Sequence, residues 1–248
     1  MDPSFHAFEK EVEEWHWWYR VRRDILDQQL ARLQLDPARA RILDVGCGTG
    51  GAALTLARHG HAVALDRSPG SFAIAMDRPY THRVVASAAE PLPFADGSFD
   101  VVCALDILEH LDEDAAAARE LERVCKPGGH VIAYVPAYQL LWGYNDEYSH
   151  HKRRYVKAEL SSLLARAQLE IVESGYFNAV LVLPTLAARL VQRAAPRMTN
   201  GMEHSTKPMP WNGLLTSIFR AELPLLKRRP LPFGTSAYCI ARKGNSQP

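Results

Sequence analysis

Arg41-Ile-Leu-Asp-Val-Gly-Cys-Gly-Thr-Gly-Gly51 runs from an apolar segment straight into alternating glycines. Ile42, Leu43 and Val45 read as a buried parallel strand, and residues 52–58 as the helix after the turn. Side chains at Gly46, Gly48 and Gly50 would block close backbone approach, so this turn suits a floor beneath a nucleoside-bearing ligand. Asp66 follows at the end of a second strand, 61–65, where a carboxylate can meet two ribose hydroxyls. The turn alone leaves the ligand open, because Gly46, Gly48 and Gly51 also satisfy a dinucleotide fingerprint.

Further along stand Glu90-Pro-Leu-Pro-Phe94, Gly97-Ser-Phe-Asp-Val-Val-Cys-Ala-Leu-Asp-Ile-Leu-Glu-His-Leu111 and Glu122-Arg-Val-Cys-Lys-Pro-Gly-Gly-His-Val-Ile-Ala-Tyr-Val-Pro136. With the glycine turn they make four ordered motifs over residues 40–136, and the chain resembles the class I S-adenosylmethionine-dependent methyltransferases. The resemblance implies an α/β fold, a Rossmann-like, mostly parallel seven-stranded sheet flanked by helices. It also implies S-adenosyl-L-methionine as cofactor, with Gly46, Gly48 and Gly50 against it and Asp66 on its ribose. Asp44 is expected to reach the donor's amino group directly or through water, or else to cap the turn. Leu105 and Asp106 match positions that flank the cofactor sulfur. Related enzymes usually carry Asp-Ala-Glu before Leu92-Pro-Phe94; here Ala88-Ala89-Glu90 lacks that acceptor, so adenine recognition is expected from backbone around Ala89 or another polar group. His110 reads as a packed, hydrogen-bonded residue rather than a catalyst.

Residues 8–35 read as one or two amphipathic helices, with Phe8, Val12, Trp15 and Tyr19 in one stripe and Ile25, Leu26, Leu30 and Leu33 continuing it. The cluster Trp15-His-Trp-Trp-Tyr19, followed by Arg20, Arg22 and Arg23, fits either aromatics packed on the sheet or a lid over the donor. It resembles the tryptophan pair and arginine at the amino terminus of one methyltransferase subgroup, which implies Tyr19 and Arg22 as lid residues.

Strand and helix alternate at 41–46, 52–59, 61–66, 70–77, 82–86, 99–105, 113–124 and 128–135, as parallel α/β requires. The alternation breaks after Pro136, and long irregular connections tend to carry function. There, residues 136–155 resemble an HD-x4-H-x-RRY element of the same subgroup, matched by Asp146, His151, Arg153, Arg154 and Tyr155, with Asn145 in place of the first histidine. The resemblance implies His151 as base or acceptor-orienting residue and Asp146 as its partner. The alternative is an Asp-His-Arg cluster that only fixes the loop. Asp146, His150 and His151 have metal-ligand chemistry but no diagnostic spacing, and adjacent histidines in a strand would point to opposite faces; no metal is expected.

Helix 157–167, strand 168–177, helical segments 180–194 and 211–226 and a last strand 233–241 complete the reading. It describes a single domain, 1–248: an amino-terminal helical lid (1–38), a core (39–177 and 232–242) and a helical cap inserted at 178–231. A net charge of +1 excludes a whole-molecule electrostatic nucleic-acid binder. The cap is locally basic: Arg189, Arg193, Arg197, Lys207, Arg220, Lys227, Arg228 and Arg229 face only Glu203 and Glu222. That suits a phosphate-bearing lipid or sugar, or peripheral contact of Leu214, Leu215, Ile218 and Phe219 with a membrane; RNA is a minority reading. Four scattered cysteines without a CxxC pair and no signal-like segment point to a reducing, cytoplasmic setting. Residues 179–190, interrupted by Pro184 and Arg189, fall short of the about 20 apolar residues of a membrane span.

The expected function is methylation of a small molecule or a lipid- or sugar-linked metabolite, with oxygen favoured as the methylated atom. Alternatives are N- or C-methylation in a natural-product pathway, RNA methylation and a non-catalytic S-adenosylmethionine-binding regulator. A dinucleotide-dependent oxidoreductase finds no hydride-transfer signal. The apolar positions of the amino-terminal helix and the cap fit a monomer or a homodimer.

Overall fold

Apolar runs too short for helices and bounded by turn residues build the sheet. Its strands are β1 (Arg41–Val45), β2 (His61–Asp66), β3 (His82–Val85), β4 (Phe99–Leu105), β5 (Cys125–Pro136), β6 (Leu169–Phe177) and β7 (Ser236–Lys243). In this computed structural model, which describes residues 10–89, 91–194 and 210–245, they form one sheet in the order β3-β2-β1-β4-β5-β7-β6. The first five strands in chain order are parallel, whereas β7 lies antiparallel between β5 and β6. Both faces of β1 are covered, which is why it reads as a continuous apolar run. Leu43 and Val45 enter one core layer with Leu65, Val102 and Leu121. Ile42 enters the other with Val101, Ile132 and Tyr134.

The helices are α1 (residues 10–15), α2 (Trp17–Arg32), α3 (Ala53–Ala57), α4 (Pro69–Ile74), α5 (Asp114–Val124), α6 (Tyr144–Tyr148), α7 (Lys157–Arg166), α8 (Val182–Ala194), α9 (Asn212–Arg220) and α10 (Leu223–Arg228). Helix α2 buries Val21, Ile25, Leu26 and Leu30 against the layer of Ile42, and Tyr134 donates to Gln29 at 2.6 Å. Helices α5 and α7 cover the opposite face through Leu121, Leu160 and Leu164. Phe8, at the start of the expected stripe, lies outside the described residues.

Three of the boundaries that differ from the sequence reading have a local reason. The segment expected as one helix over 211–226 breaks between α9 and α10, where the buried Glu222 carboxylate accepts from the Asn178 and Val180 amides at 2.6 and 3.1 Å; Pro224 suits the first turn of α10. The last strand starts at Ser236 rather than at residue 233, because Gly234 presses on Phe177 so closely that a Cβ would come within 2.1 Å of its carbonyl oxygen. Strand β5 begins at Cys125, which pairs with Phe99 ahead of a register shift.

Three arginines of the 178–231 segment are engaged by neighbouring elements. Arg189 and Arg193 donate to the Leu141 and Leu140 carbonyls at 3.0 and 2.8 Å, and Arg220 pairs with Asp24 at 2.7 Å. Arg197, Glu203 and Lys207 lie outside the described residues. Phe219, expected on a membrane-facing surface, is instead 2% exposed and packs between Trp17 and Phe177, while Leu214 stays outside at 61%. No helix among the described residues is long and apolar enough to cross a membrane.

Candidate active site

The sheet order reverses between β1 and β4, and α3 and α5, which follow them, pack in opposite core layers; in open α/β sheets the ligand crevice lies beyond the carboxyl ends of the strands at such a point. The glycine turn forms its floor. The Gly46 and Cys47 amides donate to the Leu65 carbonyl at 2.8 and 3.1 Å, and Gly46, Gly48 and Gly50 have φ of 73°, 52° and 81°, a region that favours glycine. A Cβ on Gly46 would strike Ile107 at 2.7 Å and one on Gly50 would strike Arg78 at 2.8 Å, whereas one on Gly48 would meet nothing within 4 Å. Gly48 therefore borders open space. The Asp66 carboxylate sits on the same turn, accepting from the Gly48 amide at 2.9 Å and the Ser68 amide at 2.8 Å, one on each oxygen.

Asp44 stands one residue before the carboxyl end of β1. It is 2% exposed and accepts from the Tyr80 hydroxyl at 2.5 Å. Burial pushes its carboxyl up to about 6, against the opposing pull of the Tyr80 bond. Tyr80 occupies one carboxylate oxygen, Oδ2, of this residue, which was expected at the donor's amino group directly or through water. Ala89 is exposed past β3, and its amide donates to Ser87 Oγ at 3.1 Å.

At the other wall, half-buried Leu105 ends β4, and Asp106 follows with φ 57° and its amide on the Tyr134 carbonyl at 3.0 Å. Arg22, 7% exposed, forms an ion pair with Asp106 while its guanidinium lies 4.0 Å over the Trp18 ring. Tyr19 packs edge-on against Trp18 at 4.8 Å. Helix α1 meets the opposite wall: Lys10 bonds Asp77 at 2.7 Å and the Ile74 carbonyl at 2.8 Å, and the Glu13 carboxylate occupies the space a Cβ on Gly51 would need. The amino-terminal segment thus touches both sides of the crevice.

The loop after β5 folds back to the end of β4. Arg153 donates to the Leu111 and Asp112 carbonyls at 3.1 and 2.9 Å, and the Tyr155 hydroxyl reaches Asp114 at 2.7 Å. Asp146, fully buried at the start of α6, accepts from Arg154 Nε and Nη2 at 2.7 and 3.0 Å, from the Gly143 amide at 2.8 Å and from His151 Nδ1 at 2.8 Å. Burial opposes its charge, but the bonds from His151 and Arg154 outweigh it and hold the carboxyl at about 2. An ionised carboxylate only accepts, so Nδ1 donates in this bond, which makes Nε2 the acceptor nitrogen of the neutral ring. That nitrogen lies 4.0 Å from Glu109 Oε1, and the His151 ring meets His110 edge-on at 4.7 Å.

Glu109 is fully buried, and burial followed by the charge of Asp106 pushes its carboxyl well above the usual range. Burial, then the neighbouring His151, lowers His110 to about 4. Sequence reasoning passed over Glu109 and read His110 as a packed residue rather than a catalyst. Their signal was the run Asp106-Ile-Leu-Glu109-His110, which leaves β4 at the crevice edge in a short turn of 3-10 helix. The metal-type set considered from sequence, Asp146, His150 and His151, is not what the fold assembles. Asp146 is saturated by Arg154 and Gly143, His150 takes φ 57° where α6 ends, and the group brought together is Glu109, His110 and His151. Asn145 is exposed on α6. Two cavities, one beside Lys126–His130 and one beside Arg41, His61 and His82, lie at the opposite strand ends.

The chain matches the family described as methyltransferase domain over residues 43–133. It is 34% identical over 165 residues to the ubiquinone biosynthesis O-methyltransferase of Xanthomonas oryzae pv. oryzae, a match that covers 59% of this chain and 68% of that protein. Its fold is similar to that of a chain in the complex between the Haloferax volcanii Trm112 methyltransferase activator and a methyltransferase, with a TM-score of 0.65 at 19% identity over 99% of this chain and 96% of that one. It is also similar to Haemonchus contortus phosphoethanolamine N-methyltransferase 2 in complex with S-adenosyl-L-methionine, with a TM-score of 0.56 at 20% identity over 87% of this chain and 51% of that one.

Proposed function

Because this chain belongs to the class I S-adenosylmethionine-dependent methyltransferases, we propose that it methylates a hydroxyl oxygen of a small-molecule acceptor held against His151. The observation that carries the choice of oxygen is the Asp146–His151 pair, with Nε2 facing Glu109, 4.0 Å away, just past the end of β4.

S-adenosyl-L-methionine is the cofactor, and when bound it supplies an electrophilic methyl on a sulfonium, already attached to a good leaving group. The open space over Gly48 and the adjacent Asp66 carboxylate fit its nucleoside, with Asp66 on the ribose. Leu105 and Ala89 would border the sulfur and the adenine. Arg22 and Tyr19, on the helix that spans the crevice, would keep water out.

On the acceptor side the chain's task is alignment and proton removal. His151 Nε2 would take the hydroxyl proton as the new bond forms, and Asp146 would hold the ring in the required tautomer and stabilise the imidazolium. Such a base contributes about 10²–10⁴ in rate. Arg154 fixes Asp146 by two bonds, so the clamp and the base belong to one device. The name of the Xanthomonas relative, an O-methyltransferase of ubiquinone biosynthesis, supports a small-molecule acceptor. Exposed Leu140, Tyr144, Leu183 and Leu190 near this loop favour an acceptor with an apolar or lipid-linked tail and peripheral contact with a membrane. The ion pair of Arg220 with Asp24, and the bonds that tie Arg189 and Arg193 to backbone carbonyls, weigh against RNA. Four buried, unpaired cysteines support a cytoplasmic setting, and the lid, core and cap act as one domain.

The test is production of S-adenosylhomocysteine from the purified chain with a panel of phenols, quinols, amines and RNA. O-methylated phenol or quinol is the expected product. Tight donor binding without turnover on any acceptor would favour the regulator, and methylation of amines alone would remove the hydroxyl reading.

A further inference from the structure

Glu109, His110 and His151 meet where the segment after β4 and the loop after β5 come together, each with one ligand atom within 4.8 Å of the others. We propose that these three side chains bind a divalent transition-metal ion, of the zinc or manganese class, at the acceptor edge of the crevice.

Glu109 points to a missing ligand. It is fully buried, yet neither carboxylate oxygen reaches a hydrogen-bond partner in another residue among the described residues. An unpaired carboxylate in the interior is costly, and buried charges are ordinarily paired or coordinate metals. The groups opposite it are suitable. With Nδ1 on Asp146, His151 Nε2 is the nitrogen left to coordinate, and it faces Glu109 Oε1 at 4.0 Å. His110 presents its ring edge-on to His151 at 4.7 Å and completes the set.

Two imidazoles and one carboxylate form the donor set of first-row transition ions rather than of magnesium or calcium, which take oxygen ligands. Bonds of about 2.0–2.2 Å bring ligand atoms to roughly 3–3.5 Å from one another. Side-chain rotation of about an ångström closes the present spacing. The second layer is already in place, since Asp146 fixes the tautomer and angle of His151 in the carboxylate–histidine arrangement that accompanies metal-bound imidazoles. Three protein ligands leave an open position, the pattern of a reactive rather than a structural site. The ion site rests on this geometry and not on the role of His151 as a base; with an ion on Nε2, that nitrogen is a ligand and accepts no proton.

Titration of the chelator-treated full chain with Co²⁺, followed by competition with Zn²⁺, tests the site. Visible d–d absorption saturating at about one ion per chain and erased by Zn²⁺ is expected. His110→Ala and Glu109→Gln should abolish it. Asp146→Asn should weaken binding by roughly 10–100-fold. His150→Ala, which removes the exposed neighbour, should leave it unchanged. Far-UV circular dichroism checks each variant, with His110→Gln replacing an unfolded His110→Ala and Glu109→Ala replacing an unfolded Glu109→Gln. Absence of absorption in the folded native chain, or a signal that survives both His110→Ala and Glu109→Gln, would overturn the proposal.

Discussion

Arg22 and Asp106 form an ion pair that fastens the amino-terminal helix to the end of β4. Asp106 holds φ 57° at the point where the chain leaves the sheet, so the pair constrains a backbone turn as well as a side chain. The Arg22 guanidinium also rests on Trp18, which makes an exchange to lysine non-conservative.

Arg22→Met should weaken S-adenosylmethionine binding by roughly 10–100-fold, the loss expected for a hydrogen bond to a charged group of about 1.5–3 kcal/mol. Calorimetry with donor and demethylated product measures it. An unchanged affinity would reduce Arg22 to a packing residue.

Asp66→Ala should lower donor affinity by a similar factor, roughly 10–100-fold, while the sheet persists. The variant removes both the ribose acceptor and the two bonds that hold the Gly48 and Ser68 amides. Retained affinity would transfer nucleoside recognition to the loop backbone.

His151→Gln should reduce kcat by about 10²–10⁴ and leave donor affinity unaltered. A variant with native turnover but a lower melting temperature would show that the Asp146–His151–Arg154 cluster only fixes the loop.

Asp44 should make the protein less stable as pH rises. The unfolded chain ionises this carboxyl near its ordinary 3.8, the folded chain only near 6, so between these values the native state binds the additional proton. Stability falls across that window, and above pH 6 the full penalty applies, about 3 kcal/mol at 1.36 kcal/mol per pKa unit. Asp44→Asn retains an acceptor for Tyr80 and should therefore stabilise the chain at pH 7.5 relative to pH 4. Urea denaturation at the two pH values decides, and a pH-independent difference refutes the assignment.

Gly234→Ala should lower stability by about 1–3 kcal/mol, as overpacking does, because its new methyl meets the Phe177 carbonyl carbon and oxygen. Thermal denaturation is the readout. A neutral effect would mean that the turn before β7 yields.

The parts of the fold that depend on neighbours in sequence were legible. Ile42, Leu43 and Val45 announce a strand with both faces covered, and Gly46 to Gly50 announce a turn that side chains cannot follow. Asp106 and Arg22 were placed near the crevice by motif, but their pairing depends on how α2 lies across the sheet. Tyr80 and Asp44 gave no sign of each other, since the phenol arrives from a connection that only the tertiary fold brings near β1. Glu109 illustrates the same limit more sharply. In sequence it is one residue of a short turn, and only the return of the loop after β5 sets His151 opposite it. The end of α9 was hidden for an equivalent reason: the carboxylate that stops it binds amides from before α8.

Strand β7 enters the sheet between two strands made much earlier, β5 and β6. While residues up to 235 are being synthesised, both of those strands offer an unsatisfied edge to anything nearby. The wedge arrives only when Ser236–Lys243 has been made, so β6 cannot join the sheet through β7 before then. A stalled or clipped nascent chain would present two sticky borders at once, and its hazard is misassociation with other chains before it is loss of activity.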